Sequence, residues 1–88
     1  MSLTQLEYFV AVAESGTVTA AAARCAVSQP PLTRQIHALE HELEARLFER
    51  SARGMTLTCE GARLLAHARA VLAMVRATPA VVRAADGG

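Results

Sequence analysis

The stretch TVTAAAARCAVSQPPLTRQIHALEHELEARLFERSARGMTL, residues 17–57, decides the fold of this chain. It opens with an alanine-rich segment that predicts a short helix able to approach a neighbour closely. Residues 26–27 form a tight turn, and a second helix starts near Ser28. Two short β-like runs with arginines follow. This order is typical of a winged helix-turn-helix, whose usual partner is duplex DNA. We therefore predict a mostly α fold with a small two-stranded wing and a long C-terminal linker helix.

The helix that starts near Ser28 has apolar residues at helical spacing along one side, which is typical of a helix that packs against a core. Its apolar positions are Leu32, Ile36, Leu39 and Leu43. At about 100° per residue, the opposite face carries small, polar or basic side chains and no acid. These side chains are Pro30, Thr33, Arg34, His37 and His41. This second face is free to meet a partner.

The remaining elements are predicted from capping residues and spacing. The first helix begins at a capping box, Ser2 with Gln5 or Thr4 with Glu7, and stops at Gly16. Either Thr17 or Thr19 caps the alanine-rich helix. The runs 47–50 and 55–57 predict a hairpin whose turn, 51–54, carries Arg53 at its tip.

Thr58 caps the last helix, which is expected to run to about Ala85. Pro79 should kink or interrupt it, because proline lacks the N–H that a helix interior needs. We divide the chain into a winged helix-turn-helix, 1–57, and a dimerisation helix with the start of an interdomain linker, 58–88. The final Asp86-Gly87-Gly88 is typical of a linker.

A light core predicts oligomerisation. The chain has 88 residues and is 52% hydrophobic. Only three of its residues are aromatic, however, and many of its hydrophobic residues are alanine. Small domains of this kind need additional stabilisation. The last helix also has a wider apolar side than the body can cover, so we predict a homodimer. Bracing of the core is the alternative role for this side. The predicted dimerisation residues are Leu64, Leu65, Ala68, Val71, Leu72 and Val75.

Charge is unevenly placed along the chain although the net charge is only +1. No acid occurs between Glu14 and Glu40, while Arg24 and Arg34 fall inside that window. All nine basic residues are arginine, which suits bidentate contacts to guanine and phosphate. The sequence therefore predicts a locally positive surface on a nearly neutral molecule.

Ser28-Gln29-Pro30-Pro31 is the sharpest local feature. A serine N-cap normally accepts from an N–H two or three positions on, but both positions are proline here. The Ser28 hydroxyl is thus free for a phosphate. Gln29 can pair with adenine N6 and N7, and the prolines offer apolar surface to a thymine methyl. A rigid helix start without a ligand is the plainer alternative, because proline is common there.

Four further side chains are candidates for contact with DNA. Thr33 and Arg34 lie one turn along the same helix; Thr33 suits phosphate, and Arg34 suits phosphate or guanine. Arg53 is placed to enter a narrow A·T-rich minor groove. Arg50 either reaches phosphate or pairs with a nearby acid.

Chemistry of other kinds is not predicted. The chain carries no phosphate-binding glycine loop and no nucleophile–base pair, so we assign no catalytic residue and no cofactor. His37 and His41 lie one helical turn apart without a third ligand in sequence, which argues against a metal. Cys25 and Cys59 fit reduced thiols in a cytoplasmic protein. Arginines and histidines break the apolar stretches, so no membrane segment is expected.

Residues 1–85 resemble the N-terminal DNA-binding domain of LysR-type transcriptional regulators. The matching stretches share that family's residues at the expected spacings. They are Leu6 to Glu14, Thr19 to Ala22, Val27 to Ile36, Leu39-Glu40, Leu43, Leu47 to Arg50 and Leu57 to Gly61. Cys25 departs from the family, which usually has leucine there. The Pro-Pro-Leu-Thr-Arg-Gln form looks closest to members that control the breakdown of aromatic compounds.

The resemblance implies a bacterial regulator that binds a pseudo-palindromic operator as a dimer, with the third helix in the major groove and the wing in the minor groove. It implies that Gln29, Pro30, Pro31, Thr33 and Arg34 face the major groove and that Arg53 serves the wing. It also implies a C-terminal domain, absent from this chain, through which a small-molecule effector acts and a tetramer can form. The alternative is a winged-helix module that docks on another protein and binds no DNA.

Overall fold

Three short helices, a β-hairpin and one long helix follow one another in the computed structural model, which describes residues 1–84. In chain order they are α1 Leu3–Ser15, α2 Val18–Cys25, α3 Gln29–Leu43, β1 Phe48–Ser51, β2 Gly54–Leu57 and α4 Cys59–Arg83. The antiparallel strands pair Phe48 with Leu57 and Ser51 with Gly54. The predicted mostly α winged helix-turn-helix with a two-stranded wing and a long last helix is confirmed.

Side-chain caps set the helix boundaries. Ser2, Thr17 and Thr58 each accept a hydrogen bond from the backbone N–H three residues on, at 3.1, 3.1 and 2.9 Å. Of the two candidates for the cap of α2, Thr17 is therefore the one used. Gly16 ends α1 in the left-handed conformation, with φ of 80°, which costs glycine little. The predicted starts of α1, α2 and α4 are confirmed.

The core fixes which side of α3 faces outward. Leu32, Ile36 and Leu39 are buried, and Leu43 packs partly against them. Phe9 of α1 lies at the centre of the core, and its ring contacts that of Phe48 with a centroid separation of 5.3 Å. Burial of each such side chain stabilises the fold by about 1.5–3 kcal/mol, so α3 cannot rotate without a large loss.

Backbone contacts hold the hairpin against the helices. The Met55 N–H donates to the Gly16 carbonyl oxygen at 2.9 Å, and the Thr58 N–H donates to the Leu47 carbonyl oxygen at 3.0 Å. Gly61, in the first turn of α4, lies so close to that same Leu47 carbonyl that a Cβ atom would overlap it. Glycine at position 61 therefore lets α4 start directly beneath the wing.

The first half of α4 packs on the body of the domain. Ala68 is 0% and Leu72 4% exposed, both within the protomer's own core. Arg69 donates to Glu14 of α1 at 2.9 Å, and this hydrogen bond, with that of Arg24, lowers the pKa of the Glu14 carboxyl. The protomer itself covers Ala68 and Leu72, and the predicted dimer surface on α4 stays a prediction. The bracing role weighed as an alternative applies to these two residues.

The second half of α4 leaves the body, and the molecule is 55 Å long but only 26 by 21 Å across. Of the two effects predicted for Pro79, the interruption does not occur, because the helix continues to Arg83; the kink stays a prediction. The Val75 carbonyl that loses its partner at Pro79 belongs to an exposed stretch where water can bond it. The predicted end at Ala85 and the linker 86–88 lie outside the described residues.

By length and composition α4 could cross a membrane, since its most apolar 18-residue stretch has a mean hydropathy of 1.3 and is 11% buried. Its middle carries Arg69 and Arg76, however, and a charged side chain at the centre of a membrane helix is costly. Arg69 also pairs with Glu14 of the body. Both features argue against a membrane span. The division between 1–57 and 58–88 stays a prediction.

Candidate nucleic-acid interface

The start of α3 presents free polar groups to solvent. Ser28 is the N-cap residue, yet its hydroxyl makes no capping hydrogen bond, as Pro30 and Pro31 predicted. Ser28, Gln29 and Pro30 are exposed, whereas Pro31 is half-buried. The Ser28 hydroxyl and the Gln29 amide are thus available to a ligand, and Pro31 is partly committed to packing.

The next turn of α3 continues the same face. Arg34 is exposed and Thr33 is half-buried beside it. Arg34 forms no ion pair with any acid in residues 1–84. Because Leu32 and Ile36 anchor the opposite side of the helix in the core, the Arg34 guanidinium is presented to solvent on a rigid support.

A groove separates α3 from the wing. Its walls combine Gln29 and Thr33 of α3 with Arg50 of β1, which the sequence had singled out separately. Five other residues line the groove and were not predicted as site residues: Thr17, Val18, Ser51, Gly54 and Met55. The sequence had suggested Thr17 only as a helix cap. Its position just before α2 was the signal that could have identified it as a residue of the groove. A second groove, against the C-terminal half of α3, contains His37, Arg46 and again Arg50.

The two wing arginines occupy different places. Arg53 lies in the two-residue turn between the strands, where its N–H donates to the Ser51 hydroxyl at 3.2 Å, and its side chain is exposed. Arg50 lies on the strand beside α3, away from the tip. Among residues 1–84 neither forms an ion pair, so the acid partner considered for Arg50 is not found there.

The arginines of the positive surface differ in whether an acid pairs with them. Arg24 pairs with Glu14 at 2.7 Å, and Arg69 pairs with the same carboxylate at 2.9 Å, so this group of three side chains keeps one net positive charge. The acid that pairs with Arg24 comes from the preceding helix, α1. Within residues 1–84 four arginines near α3 and the wing form no ion pair: Arg34, Arg46, Arg50 and Arg53. Arg46 and Arg50 line the grooves, whereas Arg34 and Arg53 are exposed on α3 and at the wing tip.

The remaining polar candidates do not assemble into a second site. His37 and His41 are exposed on α3, and residues 1–84 contain no group of three His, Cys, Asp or Glu side chains that could hold a metal ion. Cys25 is half-buried and Cys59 exposed, and both are free thiols.

Proteins of known structure share the fold of this chain. The structure matches the DNA-binding domain of CbnR in complex with DNA with a TM-score of 0.90 and 49% identity, covering 96% of this chain and 97% of that one. It also matches the DNA-binding domain of BenM bound to benA site 1 DNA, with a TM-score of 0.90 and 40% identity over 94% and 96% of the chains. CbnR is a LysR family transcriptional regulator.

Sequence relatives agree. The HTH-type transcriptional regulator TfdS of Cupriavidus pinatubonensis is 65% identical over 57 residues, and ClcR of Pseudomonas putida is 58% identical over 57 residues. Each match covers 65% of this chain and 19% of the relative, so the chain corresponds to a small part of those regulators. Residues 3–62 match the family model of bacterial regulatory helix-turn-helix proteins. The chain therefore belongs to the lysR family of these regulators.

Proposed function

We propose that this chain binds duplex DNA sequence-specifically, as a homodimer on a pseudo-palindromic operator, and regulates transcription in the cytoplasm of a bacterium. The observation that carries the proposal is the outer face of α3, which is exposed, free of acids near its start and supplied with Gln29 and the unpaired Arg34. The match to two domains solved with DNA supports it. The function is binding, and no catalytic step is involved.

In this proposal the N-terminal half of α3 enters the major groove. Gln29 pairs with adenine N6 and N7, and Arg34 pairs with guanine O6 and N7. Ser28 and Thr33 donate to phosphates, which fixes the register of the helix on the duplex. Pro30, with the exposed part of Pro31, contacts a thymine methyl. Residues at the helix start therefore carry the sequence discrimination.

The wing contributes a second contact in the proposal. Arg53, at the exposed turn, enters the adjacent minor groove, whose narrow A·T-rich parts attract arginine. Arg50 lies between the wing and α3 and reaches the phosphate backbone that separates the two grooves. The wing thus adds affinity and a preference for groove shape.

A second copy of the chain covers α4 in the proposal. Leu64, Leu65 and Val71 are half-buried, and the apolar surface continues with Met74, Val75, Val81 and Val82, which are exposed. At about 100° per residue, Val71, Val75 and Val82 lie within about 40° of one another on the helix. A two-fold dimer through this surface presents two α3 helices to half-sites about one helical turn apart. Tetramers and a small-molecule effector belong to the longer regulator.

A winged-helix module that docks on protein is disfavoured. A protein-docking surface is expected to hold exposed Leu, Phe or Tyr. Within residues 1–84 the exposed large apolar side chains lie at the N-terminus and on α4, and none is on α3. They are Met1, Leu3, Met74, Val75, Val81 and Val82. The face of α3 is accordingly suited to DNA.

Separate mutation of Gln29 and Arg53 tests the division of roles between α3 and the wing. Arg53→Ala should weaken binding to many sequences and make the slope of log affinity against log salt shallower by about one unit, because one phosphate-neutralising charge is lost. Gln29→Ala should lose discrimination at one base while the slope stays nearly constant. Binding of both variants to selected and random 30-base-pair duplexes across a salt series measures this. An unchanged slope for Arg53→Ala with a flattened slope for Gln29→Ala would reverse the assignment.

A further inference from the structure

One carboxylate joins α3 to the wing. Glu40, in the last turn but one of α3, accepts two backbone hydrogen bonds on its Oε2 atom, from the Leu47 N–H at 2.8 Å and from the Phe48 N–H at 3.4 Å. Leu47 precedes β1 and Phe48 begins it. The link therefore runs directly from the helix that carries Gln29 and Arg34 to the strand that carries Arg50.

The backbone around Glu40 is fixed as well. The Glu40 carbonyl oxygen accepts from the Ala45 N–H at 3.1 Å, and the His41 carbonyl oxygen accepts from the Glu44 N–H at 3.2 Å. Glu44 adopts the left-handed conformation with φ of 52°, which turns the chain back towards the wing. Glu40 thus holds both ends of the short connection between α3 and β1, through its carbonyl and its side chain.

The location of Glu40 separates it from the DNA-contacting groups. Its side chain is partly buried at the base of the groove that also contains Arg46, Phe48 and Arg50. A carboxylate exposed to DNA would repel phosphate, but this one is committed to two N–H groups. Its hydrogen bonds connect it to the wing.

We propose that Glu40 is a positioning residue for DNA binding: it fixes the distance and angle of the wing relative to α3, so that both meet the duplex at once. The inference rests on the proposed function. Without the link, the wing has to be ordered when the chain binds DNA. The conformational entropy lost in ordering it then offsets part of the free energy gained from the wing's contact with DNA.

Two conservative variants of Glu40 distinguish a role in positioning the wing from a role of its negative charge. Glu40→Asp keeps the charge but shortens the side chain, so its carboxylate reaches the Leu47 and Phe48 N–H groups poorly. Glu40→Gln removes the charge but keeps an acceptor oxygen of the right reach. We expect Glu40→Asp to weaken binding about threefold to tenfold and Glu40→Gln to bind within about twofold of the parent chain. A purely electrostatic role gives a different result, since Glu40→Gln would then strengthen binding and Glu40→Asp would leave it unchanged.

The experiment measures binding of the 88-residue chain to a 30-base-pair duplex selected from a random pool, with Arg53→Ala in a double-mutant cycle. The loss caused by Glu40→Asp should shrink in the Arg53→Ala background, because one of the two wing contacts is then already gone. Hydrogen exchange at the Leu47 and Phe48 amides should accelerate in Glu40→Asp. Glu42→Asp and Glu42→Gln are matched controls on the same helix, since the side-chain hydrogen bond of Glu42 within residues 1–84 is with the N-terminal amine, at 2.7 Å, and not with the wing.

Full additivity of Glu40→Asp and Arg53→Ala, or equal effects of the Glu40 and Glu42 variants, would overturn the positioning role while DNA binding itself stands. A parent chain with no preference for the selected duplex would instead overturn the proposed function, and this inference with it. Faster amide exchange without weaker binding would show that Glu40 stabilises the hairpin alone, which also contradicts the proposal.

Discussion

Val75→Asp is expected to convert the dimer to a monomer and to weaken binding to a duplex with two half-sites by about 100-fold or more, because avidity is lost. Val75 is 43% exposed and lies on the part of α4 that leaves the body, so its replacement does not open the protomer's own core. A carboxylate on this surface would be buried without a partner when two copies associate. Analytical ultracentrifugation and binding to duplexes with one or two half-sites measure the two effects.

Ala73→Asp is the matched control for that prediction. Ala73 is also exposed on α4 but lies on the other side of the helix, at about 160° from Val75. It should leave the dimer and its affinity nearly unchanged. A parent chain that sediments as a monomer at high concentration, or equal effects of the two aspartates, would contradict the placement of the dimer surface. Leu72 is unsuitable for this test because it is buried in the protomer.

Arg34→Ala is expected to weaken specific binding by about 1–3 kcal/mol and to relax the preference at one base pair, as loss of a bidentate contact to guanine does. The side chain is exposed and has no ion pair within residues 1–84, so the free energy of unfolding should change little. Affinities for duplexes carrying each of the four bases at that position measure the effect, and thermal unfolding checks the fold.

Arg83→Ala provides the control for Arg34, since it removes the same charge at the far end of α4. It should leave the base preference intact. If Arg34→Ala binds all four duplexes in the parent's order of preference, Arg34 contacts phosphate or solvent and does not read a base. Unchanged affinity would remove it from the interface.

Local elements were predictable because their signals lie within a few residues. Ser2, Gly16, Thr17 and Thr58 act at the ends of single helices, and capping depends on neighbours three positions away. The apolar spacing of α3 likewise predicted both its buried and its exposed side. The order of these elements then indicated the winged helix-turn-helix.

Contacts between distant residues were not predictable in the same way. The charge pattern placed Arg24 with Arg34 as free charges, but Arg24 pairs with Glu14 of the preceding helix. The apolar spacing of α4 could not distinguish Ala68 and Leu72, which the body covers, from Val75, which it leaves exposed. Periodicity identifies an apolar side and does not identify what covers it.

The two other differences have similar causes. Pro79 lies in an exposed stretch of α4 where the lost backbone hydrogen bond is tolerated, and sequence does not report that exposure. Glu40 is one of several acids after the basic window, and no local pattern shows that it bonds to the wing. Its contacts with Leu47 and Phe48 depend on the reversal of the chain at Glu44.

Selection of duplexes from a random pool by the 88-residue chain tests sequence-specific DNA binding most directly. The selected duplexes should share two half-sites related by an inverted repeat. The chain should bind them at least about 1,000-fold more tightly than shuffled duplexes of the same composition at physiological salt. A pool without an enriched motif, or equal affinity for selected and shuffled duplexes, would contradict the proposed function.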